Sequence, residues 1–318
     1  MRLIEGLDAL LALDLQATYG SAPPGNSVVA VGVFDGVHLG HQRLLHQLLE
    51  MSSALQGMPT VVTFANHPDQ LLRGSAPPQL TSVPHRLRLL RRAGVQRLVL
   101  LQFEPRLQHL TAREFASELL QRRLRTRGLL LGYDSALGKD REGTPERFRE
   151  LGAELGFEVR IGAPFEVDGR PVSSTAIRRA ITGGELALAH RYLGRWPSAL
   201  GVVAAGAGRG RGLGFPTANV TLGPAVLPPE GVYAAEVILD AATLPAMVNL
   251  GRRPTFEPAS DAVVLEVHLL DFRGDLYGRE LEVCFRHFLR PEQRFADVEA
   301  LRSQLQRDAA AARTALSC

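Results

Sequence analysis

Cysteine is scarce in this chain: Cys284 and Cys318 are the only two among 318 residues. Neither lies in a C-x-x-C pair or beside a histidine cluster, which excludes a disulfide framework and a cysteine-ligated zinc site. A reducing compartment is expected. Lysine is scarcer still. Lys139 stands alone and every other basic side chain is arginine, a pattern that codon bias produces without any functional cause. Long apolar runs are absent, so no membrane span is predicted. Met1 to Leu15 carries Glu5, Asp8 and Asp14, where a signal peptide would have a basic start and an unbroken apolar core. These absences predict a cytoplasmic protein without a membrane partner. Internal repeats and low-complexity tracts are also missing.

The composition that remains is globular, with 45% hydrophobic and 22% charged residues, and the length suits two domains. A formal net charge of +3 fits anionic small molecules and demands neither a nucleic acid nor an obligate protein partner. In the first half, strand-like and helix-like segments alternate. Ser27–Phe34, Thr60–Phe64, Arg97–Gln102, Gly128–Gly132 and Glu158–Ile161 read as strands. His41–Ser52, Pro84–Ala93, Thr111–Leu124 and Pro145–Leu155 read as helices, with Thr111 and Glu114 in capping-box positions. Such alternation predicts a parallel sheet with helices on both faces. After about Gly194 the segments become short strands between glycines and prolines: Leu200–Ala205, Gly231–Leu239, Ala246–Leu250, Val263–Asp271 and Glu280–Phe288. That pattern predicts an antiparallel barrel or sandwich, closed by one long helix over Pro291–Ala315. The boundary is placed in Gly194–Pro197, giving domains 1–194 and 195–318.

Two stretches carry candidate chemistry. The first runs from Gly32 through Phe34, Asp35, Gly36, His38 and Gly40 to His41. A strand ends, a glycine-punctuated loop follows, and a helix opens. Such a turn points backbone N–H groups and the helix dipole at an anion. Gly36 and Gly40 allow close backbone approach, and two imidazoles can donate to phosphoryl oxygens. Two histidines three apart also occur as ordinary helix starts. In the second stretch, Gly206 to Gly214 alternates glycine with Arg209 and Arg211 before Phe215-Pro216-Thr217-Ala218-Asn219. A Gly/Arg loop suits polyphosphate, although the bare pattern is more often a flexible turn or a basic linker of the kind seen in nucleic-acid binders. Thr217 and Asn219 place two neutral oxygens on one side of an extended chain, where they can complete a magnesium shell otherwise made of phosphate and water. Glu266 alternates with Leu265 and Val267, which puts it and His268 on the face opposite the apolar residues. A solvent-facing glutamate on a barrel strand has the same pattern.

Both halves resemble the bacterial bifunctional riboflavin kinase/FMN adenylyltransferase (FAD synthetase) family. In the first half the resemblance rests on VGVFDGVHLGHQRLL and on Thr63-Phe64-Ala65-Asn66-His67-Pro68. It continues through Gly132-Tyr133-Asp134, Gly138 to Gly143, and Val172-Ser173-Ser174-Thr175-Ala176-Ile177-Arg178. The resemblance implies a Rossmann-like nucleotidyltransferase domain. His38 and His41 would act on the phosphates of ATP with Asp134 and Arg178 assisting, and His67, Arg141, Ser173, Ser174 and Thr175 would lie in the binding motifs. The family's aromatic F-R-F segment is replaced here by Ser135-Ala136-Leu137, and Ala65-Asn66 also departs from its pattern.

From about Leu193 to Arg313 the chain resembles the riboflavin kinase module through G-F-P-T-A-N, P-E-G-V-Y-A, N-L-G-R-R-P-T-F and L-E-V-H-L-L. That implies ATP and Mg²⁺ held with the help of Gly206, Arg211, Gly214, Pro216, Thr217 and Asn219, and Glu266 as general base. Asn249, Arg252 and Arg290 would be neighbours of the pocket or surface residues. The implied reactions convert riboflavin to FMN and FMN to FAD. Three alternatives stay open: a kinase with a retuned first half, a nucleotidyltransferase for another phosphate ester, and a non-enzymatic flavin- or RNA-binding regulator.

Overall fold

The computed structural model describes residues 1–13, 26–204, 212, 214–252 and 263–317. By contacts the chain divides into two units. One comprises 1–77 with 86–172, the other 78–85 with 173–318. The two helices Ser174–Thr182 and Leu186–Leu193, which the sequence reading gives to the first half, therefore group with the second unit.

The first unit is a six-stranded parallel sheet. Its strands are β1 (Arg2–Glu5), β2 (Ser27–Val31), β3 (Met58–Phe64), β4 (Arg97–Leu101), β5 (Thr126–Gly132) and β6 (Glu158–Gly162), in the order β1-β4-β3-β2-β5-β6. All five residues of β2 are buried, as expected for a central parallel strand covered on both faces. Val29, Val31, Leu129 and Leu131 pack with Phe115, Leu119, Phe148 and Leu151 from the helical segments on one face. Met51 and Leu55, at the end of the helix Leu39–Ala54, reach Val28 and the Gly128 backbone on the other. Local signals set the helix ends. Thr111 and Glu114 form the expected capping box. Thr144 caps a helix with Pro145 at its first position, and Gly156 ends it in the left-handed conformation. From β2 the chain moves to β3 and β4 on one side, while β5 and β6 lie on the other. The strand order thus switches at the β2/β5 boundary, and in open α/β sheets the crevice beyond the strand ends at such a point is where ligands bind.

The second unit is a closed antiparallel barrel. It is formed by β9 (Ser198–Ala204), β10 (Ala218–Leu222), β11 (Gly231–Leu239), β12 (Ala242–Arg252), β13 (Val263–Leu269) and β14 (Glu280–Arg290), in the order β10-β13-β12-β11-β14-β9. Strands β7 (Glu166–Val167) and β8 (Arg170–Pro171) form a separate hairpin in the first unit. The barrel is filled by alternate residues, among them Val220, Tyr233, Val248, Leu250, Leu265, Val267 and Phe285. Outward-facing Val232, Ala234 and Met247 are covered by Ala309 and Ala312 of the helix Val298–Leu316.

Several sequence expectations shift. The parallel sheet has six strands rather than five, because Arg2–Glu5 pairs with β4 as its edge strand. The barrel has six strands rather than five, because the segment after the Gly/Arg loop pairs as β10. The last helix starts at Val298 rather than Pro291, because Asp297 is its cap and accepts from the Ala300 N–H at 2.7 Å.

Candidate active sites

The loop after β2 is built around a buried arginine. Phe34, Gly36 and Val37 all have positive φ, at 53°, 77° and 40°. For an aromatic and a β-branched residue that conformation is strained and persists only where the surroundings enforce it. Here they do. Thr63 Oγ1 donates to the Val33 carbonyl at 3.0 Å, and Gln42 Nε2 donates to the Val37 carbonyl at 2.9 Å. Arg86, 1% exposed, donates from Nη1 to the Val33 carbonyl at 2.9 Å and from Nη2 to the Phe64 carbonyl, so one guanidinium joins the loop after β2 to the end of β3. Burial pushes the Arg86 guanidinium below its ordinary range, and the buried Asp35 carboxylate opposes that shift.

On this base stand the two histidines. His38 caps the helix Leu39–Ala54 and accepts the His41 N–H at Nδ1, 3.4 Å away. An accepting Nδ1 places the His38 proton on Nε2. The two rings stack with centroids 3.6 Å apart, and Phe34 lies against His41 at 5.2 Å. No acidic residue occupies the first turn of this helix. A Cβ at Gly40 would sit 3.2 Å from the His38 ring, and one at Gly32 3.1 Å from the Phe34 ring. These two glycines leave room for the site's own rings.

Other candidates of the first half divide between the two units. His67 Nδ1 accepts the Asp69 N–H at 3.1 Å. Its neighbour Asn66, a departure from the family pattern, exchanges two hydrogen bonds with the Phe103 backbone at 2.9 and 2.7 Å and so ties the loops after β3 and β4 together. Asp134 follows β5, on the strand next to β2. Leu137 packs on the core and bridges antiparallel to Gly143, closing a loop in which Asp140 and Arg141 have positive φ. Ser173, Ser174, Thr175 and Arg178 belong to the second unit. Ser173 caps its helix by accepting the Ala176 N–H, and Arg178 donates from Nε to the Pro78 carbonyl at 2.6 Å.

In the barrel, register brings three candidates into one row. Asn219 on β10 pairs with Glu266 on β13, and Glu266 pairs on its other side with Asn249 on β12. The neighbours Val220, Leu265, Val248 and Leu250 point into the core, so the row lies on the outer face. His268 holds the preceding segment: its Nδ1 is 2.9 Å from the Pro216 carbonyl and its ring lies 5.2 Å from Phe215. That contact fixes the chain immediately before Thr217. Gly214 has a φ of 82°. Arg290 makes a bidentate pair with the buried Asp308 at 2.7–3.0 Å, which ties β14 to the last helix. Gly206 and Arg211 lie outside the described residues, as does the Arg252 side chain. Among the described residues no three His, Cys, Asp or Glu side chains cluster to hold a metal.

Comparison with known proteins bears on both units. A family model described as FAD synthetase matches residues 21–176, and one described as riboflavin kinase matches 193–316. The bifunctional riboflavin kinase/FMN adenylyltransferase of Escherichia coli strain K12 is 40% identical, covering 98% of this chain and 97% of its own. The chain belongs to the bifunctional riboflavin kinase/FMN adenylyltransferase family. Its relative from Pseudomonas fluorescens is 41% identical over 90% of this chain and 92% of that one. A crystal structure described as a macrolide-efflux protein from Streptococcus pneumoniae is 30% identical. It aligns with a TM-score of 0.82, covering 98% of this chain and 99% of that chain. Among the described residues here, no helix is long and apolar enough to cross a membrane.

The sequence reading missed Arg86 and Glu292, and marked Asn66 only as a departure from the family pattern. Arg86 sits in a run of arginines and leucines that reads as a solvated helix face. Glu292 falls where a helix start was expected.

Proposed function

We propose that this family member carries out two ATP-dependent steps, with residues 195–318 phosphorylating riboflavin to FMN and residues 1–194 adenylylating FMN to FAD. In the first step a ribityl hydroxyl oxygen attacks the γ-phosphorus of ATP. A new O–P bond forms, the bond to the ADP oxygen breaks, and Glu266 takes the hydroxyl proton. The row Asn219–Glu266–Asn249 carries this reading, because it sets a carboxylate between two amides on one barrel face. Thr217 and Asn219 offer neutral hard oxygens and no competing acidic cluster, which suits a magnesium ion whose remaining ligands are phosphate and water. When bound there with ATP, magnesium supplies charge neutralisation on the phosphates.

In the second step an FMN phosphate oxygen attacks the α-phosphorus of another ATP and pyrophosphate departs. His38 and His41, with the helix N-terminus, stabilise the charge on the leaving group. Asp134 and Arg178 assist in binding, with Gly32, Phe34, Asp35, Gly36 and Gly40 shaping the loop. His67, Arg141, Ser173, Ser174 and Thr175 complete the nucleotide-binding set, and Gly206, Arg211, Gly214, Pro216, Arg252 and Arg290 that of the kinase. The substrates are small molecules, so neither a nucleic acid nor an obligate protein partner is required, and the cysteine content suits the cytoplasm.

The test is a product assay by chromatography. One tube receives riboflavin, ATP and Mg²⁺; another receives FMN, ATP and Mg²⁺. FAD in both tubes is the expected result. Glu266→Gln should abolish FMN formation in the first tube and leave FAD formation in the second. His38→Ala should do the reverse. FMN in the first tube with FAD in neither would reduce the reading to a kinase and leave the Ser135-Ala136-Leu137 segment as the place to look.

A further inference from the structure

The two ends of the Asn249 side chain differ. Its Nδ2 donates to Glu292 Oε1 at 2.8 Å. Its Oδ1 is buried and has no hydrogen-bond partner among the described residues. Leaving a buried acceptor unsatisfied is costly, and such atoms in native structures call for a functional explanation. Asn249 pairs with Glu266 in the ladder, so this acceptor belongs to the row that holds the proposed base.

An asparagine amide can turn over at little torsional cost, because its last torsion is broad and nearly two-fold. Something must choose its orientation. An ionised carboxylate only accepts; beside Asn249 it draws the NH₂ group to itself and turns Oδ1 the other way. Glu292 is seated for that task. Gly251 lies two residues beyond Asn249, hence on the same face of β12. A Cβ at Gly251 would lie within 2.3 Å of Glu292 Oε1, so the glycine makes the space that the carboxylate fills.

We propose that Glu292 is a positioning residue for riboflavin phosphorylation, locking the Asn249 amide so that Oδ1 presents an acceptor to the hydroxyl-bearing ribityl chain beside Glu266. The inference rests on the kinase reading above and assigns its alcohol subsite to Asn249. Glu292 itself does not touch the reacting atoms.

The experiment uses the full chain with Glu292→Ala, Glu292→Gln, Glu292→Lys and Gly251→Ala. Glu292→Ala should raise KM for riboflavin roughly tenfold, about one hydrogen bond's worth, with KM for ATP unchanged. Glu292→Gln keeps an acceptor for Nδ2 and should restore most of the affinity. Glu292→Lys offers a donor instead, turns the amide over, and should do at least as much harm as alanine. Gly251→Ala should mimic Glu292→Ala from the opposite side. The unchanged KM for ATP in the kinase reaction, with a wild-type urea midpoint, reports that the barrel is folded, and FAD formation from supplied FMN should stay at the wild-type level.

A readout without turnover accompanies this. The Asn249 side-chain NH₂ signals, assigned by their loss in Asn249→Asp, should shift in Glu292→Ala and hold in Glu292→Gln. Unchanged NH₂ signals, or wild-type KM for riboflavin in both Glu292→Ala and Glu292→Lys, would overturn the proposal. A wild-type protein that forms no FMN would instead sink the kinase reading, and the NH₂ signals would still judge the clamp.

Discussion

His38 and His41 stack face to face with ring centroids 3.6 Å apart, and Gly40 lies between them in sequence, where a Cβ would crowd the His38 ring. Gly40→Ala would place a methyl 3.2 Å from Nδ1 and Cε1 of that ring. Alanine is the better helix former by up to about 1 kcal/mol, and Gly40 is in the first turn of a helix. Stability and activity should therefore move apart. The melting temperature should hold or rise, while FAD formation from FMN falls on the order of tenfold to a hundredfold through misplacement of the imidazole. Calorimetry and the second-tube assay decide it; a parallel fall of both would mean that the methyl damages the fold rather than the histidine.

Arg86 supplies a sharper separation. Its guanidinium joins the Val33 carbonyl in the loop after β2 to the Phe64 carbonyl that ends β3, and Asp35 is buried in its field. Arg86→Ala leaves that carboxylate and both carbonyls without their cation, a loss expected to cost about 3–5 kcal/mol. Arg86→Lys keeps the charge but cannot present a planar fork to two acceptors, so it should recover part of the stability and little of the adenylyl transfer. Urea titration gives the first quantity and FAD formation the second. Full activity in the lysine variant would show that charge alone holds the loop.

These two residues mark what the chain discloses by itself. Gly40 is legible, because a glycine in the first turn of a helix beside two histidines asks for a reason. Arg86 is not, because its burial is made by strand ends distant in sequence. Helix Pro145–Leu155 was read with its true bounds since Thr144, Pro145 and Gly156 all signal locally. Strand β10 was missed because five residues after a Gly/Arg run carry too little alternation to stand out. The cross-strand row of Asn219, Glu266 and Asn249 shows the same limit. Motif resemblance named all three, but only the barrel register makes them neighbours. Gly40 adds a constraint that motif reading does not show: a Cβ there would crowd the His38 ring.

The last helix is fastened to the barrel by charge as well as by Ala309 and Ala312. Asp308, 4% exposed, accepts from Nε and Nη2 of Arg290 and from Nε2 of Gln304. Asp308→Ala strands a guanidinium that is largely buried, and should cost about 3–5 kcal/mol. Asp308→Asn keeps the shape and one acceptor and should cost less. The urea midpoint should fall with an unchanged slope if the barrel and helix unfold together; a second, earlier transition would show that the helix detaches first.

Tyr233 makes alkaline stability a test of the barrel core. Its hydroxyl donates to the Pro229 carbonyl, its ring meets Phe285 and Phe288 edge-on at 5.5 and 5.3 Å, and burial pushes its pKa up to about 12. In the unfolded chain the same phenol ionises near pH ~10. Between those two values the native protein holds the proton that the unfolded chain has released, so stability falls as pH rises through the interval. Tyr233→Phe removes both the hydrogen bond and the titration. Near neutral pH the variant should be less stable by about 1 kcal/mol. From about pH 10 upward the wild type should lose ground and the variant should not, so the gap between them narrows. Urea midpoints for the two proteins across that range give the answer directly, because every other titrating group is shared. A gap that stays constant would mean that the phenol ionises as easily in the folded barrel as in the unfolded chain.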